Sequence, residues 1–326
     1  MHNLMNNTMA YAGAEPWHKL GVRFDQDFLA EEAIVAAQLG YTVEKEPLYR
    51  NLNDEGQNSG EAYHKVNAFA TVRTDTREVL GIVGDRYEPL QNRDAFAFFD
   101  NLIVEGQARY HTAGALGRGE KVWLLARTPE IFSVLPGDEV ENYLLLSNAH
   151  DGSGAVEVRL TPIRVVCQNT LGMAKADSKP IVKIRHTINV EDRIAMAGRI
   201  VRETVSRMHG AYEQYEALAK CKVTDQDCED YINAIFGVEP DRKENPRAFT
   251  MRERKIADFD ISLTRGMGVD IPGVQGTAWW LYNGAVEYAD YFAKVKAGTD
   301  RTDALLFGSI ADFKQKAMDE ALALVK

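Results

Sequence analysis

The chain has 326 residues, 45% hydrophobic and 26% charged, with a formal net charge of −10. This is ordinary globular composition, long enough for one large domain or two smaller ones, and it excludes a disordered chain. No run approaches the roughly 18 apolar residues that span a bilayer. The start, MHNLMNNTMAYAG, has neither the basic beginning nor the apolar stretch of a secretory signal. Three cysteines (Cys167, Cys221 and Cys228) follow neither a disulfide framework nor a zinc spacing, which implies reduced thiols and a cytoplasmic location.

The first predicted element is a helix with an apolar face over Leu29–Leu39, begun at Asp27 or a neighbour and stopped by Gly40. Tyr41–Tyr49 reads as a strand, Asn51–Gly60 as a polar loop, and Tyr63–Thr74 with Glu78–Val83 as a hairpin. A helix with an aromatic stripe (Phe96, Phe98, Phe99) begins at Asn92 or Asp94. Strands follow over Ala108–Ala115, Lys121–Arg127, Asn142–Ser147 and Ala155–Val166, joined by glycine turns. Short returns of this kind imply a mainly antiparallel sheet.

Beyond Cys167 the pattern turns helical. After Asn189, residues Ile194, Gly198, Val201, Val205, Met208, Tyr212 and Tyr215 repeat at spacings of four and three. Such a seam suits an antiparallel helix pair or a partner helix, and equally suits packing within one chain. Thr224 with Asp227 caps the next helix, which ends at Gly237. Glu239–Pro246 is a charged, proline-bounded linker; helices are expected over Arg252–Leu263, Thr277–Val295 and Ile310–Leu324. The fold class is therefore α+β: a mainly antiparallel sheet in the N-terminal half, then a helical C-terminal half. The expected division is a strand-rich domain over residues 1–167 and a mostly helical region over 168–326, as two units or packed as one.

Chemistry is harder to find. There is no Walker loop, HExxH helix, GxGxxG turn or GxSxG elbow, and no cofactor motif, so no cofactor is expected. The seven histidines are scattered, which gives no metal site. His150-Asp151 on the turn HDGSG offers a base beside a carboxylate, and Cys167 offers a nucleophile near Arg164. A plain turn and a buried thiol account for the same residues. Gly114, Gly117 and Gly119 around Arg118 would cradle a phosphate or simply close a hairpin.

Charge is more informative. From Glu157 to His209 there are ten Lys and Arg against five Asp and Glu; that net of +5 leaves −15 for the rest. A basic strip in an acidic protein suits a confined polyanion, though also a helix with arginines on its wet face. Within it, Arg159, Arg164, Lys175, Lys183 and Arg185 would meet phosphates, and Asn169 and Thr170 would hydrogen-bond the backbone. Single-strand binding also wants aromatic platforms. Tyr63, Tyr110 or Trp123 would supply them if the sheet brings them near.

Four segments carry a resemblance: AYAGAEPWHKLG (10–21), GDRYEPLQNRDAFAFFD (84–100), LLLSNAHDGSGAVEVRLTPIRVVCQNTL (144–171) and GTAWWLYNGAVEYADY (276–291). Together they resemble the phage/plasmid-like proteins built on a domain of unknown function. That resemblance implies carriage on a mobile element and brings no catalytic residue. Three functions follow as expectations. The first is a non-enzymatic protein that binds single-stranded DNA as a homo-oligomer, for annealing or recombination. The second is an enzyme on a nucleotide or small phosphorylated metabolite, using His150, Asp151 and Cys167. The third is a host-interaction or anti-defence protein using the long helix and Trp280.

Overall fold

A computed structural model describes residues 4–13, 19–26, 28–51, 63–96, 109–164, 166, 169–170, 182–184, 190–296 and 301–325. Strands dominate the N-terminal half and helices the C-terminal half, so the chain is α+β.

Eight strands form the larger sheet, in the order β10-β9-β8-β7-β6-β1-β2, with β11 also paired to β9. They are β1 (Leu4–Ala12), β2 (Val22–Phe24), β6 (Arg109–Leu116), β7 (Lys121–Leu135), β8 (Asp138–Ala149), β9 (Val156–Arg164), β10 (Asn169–Thr170) and β11 (Val182–Ile184). All pairings are antiparallel except β1 with β2. A second, antiparallel sheet contains β3 (Val43–Asn51), β4 (Tyr63–Arg73) and β5 (Val79–Val83).

Alternation along the central strands divides the large sheet into two faces. Val122, Leu124 and Ala126 of β7, Leu144 and Leu146 of β8, and Val156, Val158 and Leu160 of β9 enter the main core. Helix α1 (Ala30–Ala36) sets Ala30 and Ala33 near Ala10, Ala12, Ala113 and Ala115, small residues that permit close approach of helix to sheet. Two further helices cover the same face. These are α2 (Val190–Lys220), through Met208, Ala211, Tyr215 and Leu218, and α5 (Ala278–Glu287). In the described part of the long seam, Met208 and Tyr215 therefore pack within their own chain.

The remaining helices are α3 (Asp225–Phe236), α4 (Pro246–Arg265), α6 (Arg301–Phe307) and α7 (Ser309–Ala323). The Thr224 hydroxyl accepts from Asp227 N–H, and Asn245 caps α4 with Pro246 in its first turn, where proline forfeits no hydrogen bond. Helix α5 is mostly apolar and enclosed by its neighbours, with Trp279, Leu281, Tyr282, Ala285 and Val286 fully buried. It continues into a π-helical turn, Tyr288–Phe292.

Several expectations shift. Helix α1 starts after Leu29, whose N–H is taken by the Glu32 carboxylate, and Asp27 lies outside the described residues. The left-handed residue that ends it is Gln38 (φ 55°), not Gly40. Strands β7 and β8 run well past their expected ends and meet at the Pro136-Gly137 turn. Residues 92–96 are helical as expected. Strands β1, β2, β10 and β11 and helix α6 lie outside the predicted elements.

Candidate nucleic-acid interface

The turn after β8 is a joint between the two sheets. His150 is fully buried; its backbone N–H donates to Glu120 O at 2.7 Å, and its ring lies edge-on to Tyr41. Asn92 gives its amide nitrogen to Leu39 O at 3.0 Å, which leaves its oxygen facing His150 Nε2 at 2.9 Å, so Nε2 is the donor there. Asn148 Nδ2 donates to Leu90 O, and Tyr87 Oη to Ala149 O. Burial pushes the Tyr41 phenol up to about 12, and its hydroxyl donates to Gly119 O at 2.8 Å. Asp151 Oδ1 accepts from Ser153 N–H, closing the turn, and Gly81 of β5 lies so close to the Asp151 backbone that a Cβ there would collide. The His150 imidazole is thus enclosed within the joint, while Asp151 beside it is partly exposed on the turn.

The glycine hairpin also has its donors engaged. Gly117 (φ 64°) and Gly119 (φ 110°) turn the chain, and the Glu120 carboxylate accepts from both Arg118 N–H and Arg118 Nε. That carboxylate stands where a bound phosphate would.

Arg164 requires the clearest correction. Its side chain is 2% exposed, and its guanidinium meets Asp138 through Nε–Oδ1 (2.6 Å) and Nη2–Oδ2 (2.7 Å). Trp279 Nε1 donates to Asp138 Oδ2 at 2.8 Å, and Arg164 also reaches Met267 O and Gly268 O. Being even-numbered on β9, Arg164 shares the core face with Val158 and Leu160. It ties β8 and β9 to α5 and the loop before it, and it has no surface from which to touch a phosphate backbone.

Arg159 lies on the other face, and the register gathers further cations around it. Arg109 is paired with Arg127, Arg127 with Tyr143, and Leu145 with Arg159, so these positions share that face across β6 to β9. Arg109 is exposed, and the Arg127 and Arg159 side chains are 38% and 37% exposed. At about 4.8 Å per strand, Arg109 and Arg159 stand roughly 14 Å apart across the sheet and two residues, about 7 Å, apart along it. Arg127 pairs with Glu141 at 3.3 Å and Arg159 with Glu157 at 2.6 Å. Tyr143 donates to Glu141, and the His111 ring stands edge-on to Tyr143 at 5.1 Å. Lys183 is placed opposite Glu157 and Thr170 opposite Ile163, at the sheet edge, while Asn169 pairs with Arg164.

The far end of this face is closed. Leu306 and Phe307 of α6 pack over Trp123, Leu145 and Tyr11, and Lys121 Nζ meets Asp303 at 2.7 Å. Trp123 lies across Gly114, where a Cβ would strike the ring, so it is no open platform. Tyr110 is buried on the opposite face and donates to Phe96 O. Tyr63 is 61% exposed, on the smaller sheet.

Cys167, Lys175 and Arg185 lie outside the described residues, and Asn169, Thr170 and Lys183 are placed by backbone alone. Among the described residues no His, Cys, Asp and Glu group converges as a metal site, and no helix is long and apolar enough to cross a membrane. Sequence reasoning missed Arg109 and Arg127 because it counted charge along the chain. Strand parity would have grouped them.

Fold and surface together define an α+β protein whose large sheet is covered by helices on one face and on the other carries the exposed Arg109 and the partly exposed Arg127 and Arg159 around the buried Tyr143 and Leu145. The chain belongs to the DUF932 family, a domain of unknown function, whose model matches residues 79–306, from β5 to α6. No curated protein and no solved structure matches the chain.

Proposed function

We propose that this is a phage- or plasmid-borne, non-enzymatic protein of the cytoplasm that binds single-stranded DNA as an oligomer, in annealing or recombination. The strand lies across the partly open face of the large sheet. One observation carries the reading: Arg109, Arg127 and Arg159 stand on one face of the large sheet, on β6, β7 and β9, where a single phosphate backbone laid across the strands could meet all three. Lys183 and Thr170 extend the site at the β9 edge.

Glu141 and Glu157 hold two of these guanidiniums ready in the free protein. A phosphate replaces each carboxylate as partner at little cost, because partly exposed ion pairs contribute only about 0–1 kcal/mol. Sheet faces present such groups with bases free to stack beside them.

The test is anisotropy of a fluorescein-labelled oligothymidylate at rising salt, beside a duplex of the same length. Saturable binding that weakens steeply with salt and prefers the single strand supports the reading. Absence of binding at low salt, or equal affinity for the duplex, overturns it.

A further inference from the structure

We infer that the distal ends of β3 and β4 form a base-stacking ribbon in which Tyr49 and Tyr63 take an unpaired nucleobase. The inference rests on the reading of the protein as a single-strand binder, and it adds a contact of different chemistry, on the other sheet.

Strand β5 pairs with β4 only between Phe69 and Val72, whereas β3 and β4 continue together to the pairs Tyr49–Lys65, Arg50–His64 and Asn51–Tyr63. Beyond Phe69 the smaller sheet is therefore a two-stranded ribbon, and burial falls away along it. Val43 and Arg73, paired at its base, are 2% and 3% exposed; Tyr49 and Tyr63 are 56% and 61% exposed. All six distal residues, from Tyr49 to Asn51 and from Tyr63 to Lys65, are exposed.

The register puts Tyr49 and Tyr63 on the same face as diagonal neighbours, which in an antiparallel pair stand roughly 7–8 Å apart. Strand side chains stand nearly perpendicular to their sheet. The gap is close to twice the ~3.4 Å rise between stacked bases, the room for one base between two rings. Lys65 stands directly opposite Tyr49 and holds its Nζ 5.8 Å from the Phe69 ring.

Net charge separates this contact from the arginine face. The sequence between the two strands contains Asp54, Glu55 and Glu61, which offset Arg50 and Lys65. The ribbon thus supplies stacking and little counter-ion release, whereas Arg109, Arg127 and Arg159 supply the reverse.

The experiment compares wild type, Y49A/Y63A and Y49F/Y63F by anisotropy of the labelled oligothymidylate across a salt series. Y49A/Y63A is expected to bind about tenfold or more weakly, with the salt slope unchanged. Y49F/Y63F, which keeps both rings, retains wild-type affinity. The unfolding midpoints of all three should agree, since both tyrosines are exposed. Wild-type affinity in Y49A/Y63A overturns the ribbon and leaves the arginine face standing. A loss of slope together with affinity also overturns it, because the contact would then be to phosphate. Absence of binding by wild type at low salt overturns both.

Discussion

Arg159 and Arg164 sit five residues apart on β9 and have opposite environments. Arg159 projects from the open face beside Glu157, and Arg164 is locked beneath α5 against Asp138, Trp279 and two loop carbonyls. Strand alternation decides the difference, since an odd step moves a side chain to the other face. The comparison teaches that charge counted along a sequence mixes two roles, and only the face of a strand separates structural arginines from those a ligand can meet.

The largest expected effect tests the buried side. Asp138→Ala strands a guanidinium in the core and should cost about 3–5 kcal/mol in urea unfolding. Asp138→Asn, which keeps the shape but loses the charge, should recover only a small part. Arg159→Ala should change stability by no more than about 1 kcal/mol, since its ion pair is partly exposed. Equal losses for Asp138→Ala and Arg159→Ala would abolish the distinction between the faces.

A smaller effect is expected at the joint of the two sheets. Gly81→Ala puts a methyl into the Asp151 backbone and should cost roughly 1–3 kcal/mol, read as a lower urea midpoint. An unchanged midpoint would mean that β5 does not seat firmly on the turn.

The same joint should respond to alkali. Burial raises the Tyr41 phenol to about 12, and burial likewise raises Tyr288 to about 12 and Tyr215 and Tyr231 well above the ordinary value. A raised folded-state value means that the unfolded chain releases these protons first. The stabilisation is complete below pH ~10, and for Tyr41 and Tyr288 it is lost as pH rises towards ~12. Urea titrations at stepped pH should show this decline, and Tyr41→Phe should make it shallower. A flat profile would place these phenols in water.

Much of this architecture could be read from the chain. The central strands alternate cleanly, and Thr224, Asp227 and Gly237 announce α3 by their chemistry. Strand β1 escaped because Asn6 and Asn7 take positive φ (53° and 55°) and break its alternation, and α6 is too short at seven residues to show a period. The site was legible in part. Val156, Val158 and Leu160 already assign even positions of β9 to the core, so parity alone would have withdrawn Arg164 from the surface. Its partner Asp138, 26 residues earlier, becomes its neighbour only through the β8–β9 register. His150 escaped for a similar reason: Asn92, whose amide oxygen accepts its hydrogen bond, comes from the start of a helix 58 residues away.

The central claim is that the arginines of the open face, and not the buried one, meet nucleic acid. The most direct measurement is the salt dependence of oligothymidylate binding by R127A/R159A beside wild type. Loss of two phosphate contacts should weaken binding at low salt and reduce the slope of log K against log salt by about two. An unchanged slope with unchanged affinity would contradict the claim.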